Sequence, residues 1–207
     1  MGGGDTLFYI MPTLTTQLEA VNSMLGHIGE TPVNTISNAT ALPVSASTAV
    51  SVLAEVSREV QSDGWYFNTE YDVTLSPNID GNIILDSNVV EADVIDSSLD
   101  IAQRGSKLFD RKNNTLVFTK DLKVNLTRLL DWDDLPEPAR RYITLRASRI
   151  FQGRLVGSRE LEALIARDEY MAKARLEEYD GSTSDRTIFD NIDTGARIGI
   201  NRNYDIF

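Results

Sequence analysis

Asp131-Trp132-Asp133-Asp134 is the tightest group of carboxylates beside an aromatic ring in this 207-residue chain. Acids next to a tryptophan suggest glycoside hydrolysis, and clustered acids suggest a calcium loop. Each chemistry needs more than adjacency. A glycosidase sets two carboxylates facing each other across a sugar, which sequence neighbours rarely do. An EF-hand needs its spaced ligands and its glycine, which are absent. Helix capping beside a packed tryptophan accounts for the same four residues without any chemistry. The chain has no cysteine, so disulfides and thiolate zinc sites are excluded, and its one histidine, His27, cannot build a multi-histidine metal site. A catalytic triad would have to use His27, and no nucleophile context supports one. The phosphate-loop, dinucleotide and nucleophile-elbow patterns are all missing. No cofactor is expected. The aromatic run Trp65-Tyr66-Phe67 could serve as an exposed binding platform for a sugar or a protein.

Arginines form the second constellation. Arg140, Arg141, Arg146, Arg149, Arg154 and Arg159 crowd one stretch of a chain whose net charge is −11. The planar guanidinium fork suits carboxylates and phosphates at interfaces. Two readings stand side by side. One is a solvated face paired with the acids Glu160, Glu162, Asp168 and Glu169. The other is charge complementarity with a neighbouring copy or a partner ring. The acidic surplus argues against non-specific nucleic-acid binding over the whole surface. It suits a wall past which DNA must slide without sticking.

These groups must be positioned by the elements around them. Thr16 and Glu19 have capping-box spacing, and Leu18, Val21, Leu25 and Ile28 step by three and four, which predicts a helix from about Thr16 to Ile28. Gly29 and Pro32 end it. A second helix is expected from about Ser47 to Asp63, with Ala49, Val52, Val56 and Val60 on one face. In "VQSDGWYFNTE" Gly64 ends that helix and the first strand begins at once. Trp65 and Phe67 then share a buried face, while Asn68 and Glu70 turn the other way. Asp80-Gly81 reads as a hairpin turn between "YFNTEYDVTL" and "NIIL". "EADVI", "SKLFD", "TLVFT" and "LKVNLTRLL" follow as strands, with "RKNN" as a further turn. Between Asp72 and Asp110 there are eight acidic residues against two basic ones, Arg104 and Lys107, which makes a charged outer face. A third helix, capped by Asp134 with Pro136 in its first turn, runs to about Val156. Gly157 and Ser158 break the chain, and a fourth helix runs from Ser158 to about Tyr179. The short break makes the last two helices antiparallel neighbours.

The fold class is therefore α+β. Residues 1–64 and 132–180 are expected to form a helical bundle, and residues 65–131 an inserted antiparallel β domain. Residues 181–207 lack a clear period. Their isolated apolar residues, Ile188, Phe189, Ile192, Ile198, Ile200 and Phe207, cannot make a core alone, so they read as an extended arm that orders on a partner. No apolar run approaches the length needed to cross a bilayer. The N-terminus lacks the basic region of a signal peptide and formally fits a myristoylation pattern at Gly2 and Thr6.

Four stretches, in order, carry a resemblance: "AVNSMLGHIGETPVNTI", "VLAEVSREVQSDGWYFNTE", "RGSKLFDRKNNTLVF" and "LPEPARRYITLRASRIFQGRLVGS". Together they resemble the tail tubular protein A family, the head-to-tail adaptors of short-tailed phages, from about Leu14 to Asp190. "GWYFNTE" and "LPEPARRYITLRASRIFQ" are the specific parts. The resemblance implies a structural virion protein without catalysis, at the head–tail junction. It implies a closed ring of about twelve copies. The implied partners are the portal protein, the nozzle made by tail tubular protein B, and double-stranded DNA passing without specific binding. The arginines named above and the apolar residues of the arm are the interface candidates. The alternative from another class is a carbohydrate-active hydrolase built on the Asp131–Asp134 cluster.

Overall fold

The computed structural model describes residues 13–38 and 41–184. Its first helix, α1, spans Gln17–His27. Thr16 caps it through a complete capping box: the Glu19 amide donates to Thr16 Oγ1 (3.2 Å), and the Thr16 amide donates to Glu19 Oε2 (2.8 Å). α2 spans Val44–Gln61 and begins three residues earlier than its apolar spacing suggests, directly after Pro43. Gly64 sits at φ +74°, where a side chain would be strained, and turns the chain out of the helix.

The chain does not enter a strand at Trp65. A short 3₁₀ turn, Tyr66–Asn68, comes first, and β1 starts only at Thr69 and runs to Leu75. Four more strands follow: β2 (Val89–Val94), β3 (Ile101–Arg104), β4 (Lys107–Asp110) and β5 (Leu122–Arg128). β5 is central. β1 and β2 flank it, both antiparallel, while β3 and β4 form a separate two-stranded ribbon. A bulge between Glu70 and Val73, with Asp72 at φ 57°, twists β1 away from a regular edge.

Three strand expectations are corrected. Asp80-Gly81 is a turn, with Gly81 at φ +77°, but β1 pairs with β5 and not with "NIIL". That segment makes only an isolated bridge, from Ile84 to Lys107. "TLVFT" likewise contributes one bridge, from Thr115 to Asp110, and no strand. The hairpin that does form is β3–β4, closed by Gly105 and Ser106 with Arg104 opposite Lys107.

After β5 a second 3₁₀ turn, Trp132–Asp134, leads to α3 (Glu137–Leu155) and then α4 (Arg159–Thr183). Asp134 belongs to the turn and does not cap α3, whose preceding residue is Pro136. Ser158 does cap α4, accepting from the Leu161 amide. α4 runs four residues beyond Tyr179.

Two hydrophobic clusters result. The helices share one, built around Met24, Leu25, Leu53, Ile143, Phe151 and Leu176. The sheet has its own, built around Ile83, Leu108, Phe118, Val124 and Leu126. β5 supplies three of its seven side chains, Leu122, Val124 and Leu126, to this second cluster. Alternation along a half-buried strand places them there.

Candidate assembly surface

The carboxylate cluster is structural on every contact it makes. The side chains of Asp131, Asp133 and Asp134 point to solvent, and the order lies in the backbone. Arg140, 3% exposed, donates Nε to the Leu135 carbonyl (2.8 Å), one terminal nitrogen to the Asp133 carbonyl (2.7 Å) and the other to the Thr15 carbonyl (2.9 Å). Trp132 Nε1 donates to the same Thr15 carbonyl (2.9 Å). Glu137 accepts from the Thr15 amide (2.8 Å) and hydroxyl. One guanidinium thus ties the segment before α1 to the turn before α3. Arg140 is buried and bonded inside its own chain.

A second clamp joins bundle to sheet. Gln61 Oε1 accepts from the Leu130 amide (2.7 Å), and its Nε2 donates to the Leu130 carbonyl (3.2 Å). Asn68 Nδ2 donates to the carbonyls of Gln61 and Arg128 (both 2.8 Å), while its Oδ1 accepts from the Trp65 amide (2.9 Å). Both amides are nearly fully buried. Asn68 was expected to face outward with Glu70; the 3₁₀ turn rotates it inward instead. Trp65 and Phe67 do share a face: their rings stack at 6.4 Å, packed against the helical cluster. Trp65 Nε1 donates to the Val60 carbonyl (2.7 Å). The aromatic run is a hinge packing and not an open platform. Tyr66 extends the hinge to α4, its amide donating to Asp180 Oδ1 (2.7 Å).

The remaining arginines divide in two. Arg146 bridges Glu59 of α2 and Glu169 of α4, and Arg149 binds the same Glu169 through Nε. Arg154 holds Glu55 of α2 with two 2.8 Å hydrogen bonds. The bond from Glu59 raises the Arg146 guanidinium above its ordinary value, and the bonds from Glu169 and Glu55 do the same for Arg149 and Arg154. Glu55 moves the opposite way, lowered first by its bond to Arg154. Of the expected acidic partners, Glu169 and Glu162 engage; two α2 acids, Glu55 and Glu59, were not legible as partners because they lie far away in sequence. Arg141 and Arg159 are exposed, and neither side chain makes an ion pair among the described residues.

Arg141 lines a groove of about 560 Å³ between the first half of α3 and the middle of α4. Leu145 and Ala172 form its floor; Met171, half exposed, and Arg175 stand on the α4 side with Asp168. A second depression, about 760 Å³, lies in the β region between residues 94 and 123. Its wall includes Asp110, whose carboxyl is held below its usual range, first by the Asn113 amide and then by the Asn113 side chain. Arg128, at the end of β5, is pinned by Asp86 and Glu70 (both 2.8 Å). Among the described residues no three His, Asp or Glu side chains gather as a metal site. No described helix is long and apolar enough to cross a membrane. The arm candidates Ile188, Phe189, Ile192, Ile198, Ile200 and Phe207, like Gly2 and Thr6, lie outside the described residues.

The fold therefore consists of internally clamped helices carrying a small sheet, with four of the six candidate arginines, Arg140, Arg146, Arg149 and Arg154, bonded within the chain. Comparison with known proteins gives the class as phage tail structural proteins. The family model described as tail tubular protein matches residues 18–186, which takes in both hydrophobic clusters. The chain belongs to the tail tubular protein family. It is also 33% identical over 128 residues to tail tubular protein A of Klebsiella phage KP34, a match covering 61% of this chain and 66% of that relative, just under two thirds.

Proposed function

We propose that this chain is the adaptor ring of a short-tailed phage. About twelve copies would close into a ring between the portal of the head and the tail nozzle, forming part of the channel through which DNA leaves. The observation that supports this reading is the family match, which spans bundle and sheet alike. The mechanism is assembly. The bundle, residues 1–64 and 132–180, would meet the portal and neighbouring copies. The β unit, residues 65–131, would face the nozzle or the ring exterior. The surplus of acids keeps passing phosphates from binding. The absence of cysteine suits synthesis in a reducing host cytoplasm before incorporation at the head–tail junction.

Mass measurement by light scattering tests the reading. The purified chain is mixed with the portal of the same phage. The expected product is one complex heavier than the portal by about twelve chains. A portal peak of unchanged mass over a range of salt concentrations overturns it.

A further inference from the structure

The groove between α3 and α4 is the described site where apolar floor and unpaired positive charge coincide. Arg146, Arg149 and Arg154 all end on carboxylates of their own chain, and Arg140 ends on three carbonyls. Arg141 and Arg175, on opposite walls, end on nothing among the described residues. Two uncommitted guanidinium groups flanking Leu145, Met171 and Ala172 call for a ligand with apolar side chains and carboxylates close together. Asp168 on the α4 wall and Glu137 on the α3 wall, the latter bonded to Thr15, oppose a wholly acidic ligand and favour a short one with few charges.

The chain itself carries such a segment. Ile188-Phe189-Asp190-Asn191-Ile192-Asp193 sets three apolar residues among two carboxylates. We propose that this segment of one copy fills the α3–α4 groove of a neighbouring copy, with Phe189 against Met171 and Asp190 and Asp193 toward Arg141 and Arg175. The proposal deepens the ring reading and rests on it.

Reach favours a neighbour's groove over the segment's own. Met171 lies 13 residues before Ser184, where the described chain stops, so it is about 20 Å back along α4 at 1.5 Å per residue. Phe189 lies five residues beyond Ser184 and extends at most about 18 Å even if fully stretched and reversed at once. With side chains included, Phe189 could meet Met171 of its own chain only if the five linking residues reversed at once and ran at full stretch, whereas a neighbouring copy can present the segment without that extension.

Because the sequence has no cysteine, a disulfide can be placed cleanly. The full-length double variant Met171→Cys with Phe189→Cys is mixed with the portal and oxidised mildly with diamide. The expected result is a ladder of cross-linked species in denaturing gels, absent from the control pair Ile79→Cys with Phe189→Cys, whose first site is on an exposed loop of the β region. Adding Arg141→Glu and Arg175→Glu should slow cross-linking about tenfold, and further adding Asp190→Arg and Asp193→Arg should restore it. Circular dichroism of each variant verifies that the bundle is folded. Cross-linking no faster than the control, or confined within single chains, overturns the proposal. If such rings still assemble on the portal, the adaptor reading survives it. Failure of the unmodified chain to assemble overturns both.

Discussion

Asn68 is where bundle and sheet are most exposed to a single change. Its side chain makes three hydrogen bonds, to the Gln61 and Arg128 carbonyls and from the Trp65 amide, at a site only 3% exposed. Asn68→Ala removes all three and leaves those backbone groups without this partner. At about 1 kcal/mol net for each bond, the loss is about 3 kcal/mol. For a chain of this length that lowers Tm by about 6–12 °C. Asn68→Asp separates the causes. It conserves shape and keeps the acceptor for Trp65, but it turns an oxygen toward two carbonyls. If the donor pair is what matters, Asp costs at least as much as Ala; if only volume matters, Asp is mild. Urea unfolding followed by tryptophan fluorescence reads both variants, because Trp65 lies in the same hinge. An Asp variant within about 0.5 kcal/mol of wild type would refute the reasoning.

Arg140→Lys should cost about 2 kcal/mol in the same assay, since one ammonium cannot reach three carbonyls arranged for a fork, and Arg140→Met should cost more. Glu169→Gln should destabilise by about 1–2 kcal/mol; this is less than for a fully buried pair because its partners Arg146 and Arg149 are 25% and 31% exposed. Acid should weaken the fold: Glu19, Glu55, Asp96 and Asp110 are all lowered by their folded-state partners. Their contribution is therefore complete above the unfolded carboxylate range near pH 4 and lost as pH falls through the folded values. A Tm that stays flat from pH 7 to 5 and drops below about 4 is the expected profile, and a Tm rising on acidification contradicts it.

The helices were legible because their signals are local. Thr16 with Glu19 marked the start of α1, and Ser158 marked the start of α4, each within one turn of the residue it bonds. Sheet pairing was not, because β1 and β5 meet across more than forty intervening residues and packing, not turn chemistry, selects the partner. Asp80-Gly81 is a real turn signal that closes no ladder, whereas the weaker Gly105-Ser106 pair closes one. The two amide clamps were missed for a related reason. Gln61 follows Val60 at the end of the buried face of α2, two i+4 steps beyond Leu53, a polar residue placed where a core side chain belongs, and that was the available signal. Asn68 gave none, since alternation from Trp65 assigned it outward and only the 3₁₀ turn reverses that. Among the arginines, sequence could mark the crowd but not the fate. Arg146 and Arg154 find acids in α2, leaving Arg141 to the groove.

Negative-stain imaging of the full-length chain mixed with its portal tests the central claim most directly. The adaptor account predicts a closed ring of added density, with the portal's symmetry, on one end of every occupied portal particle. Bare portals beside dispersed single chains, at concentrations well above those of the virion components, would contradict it.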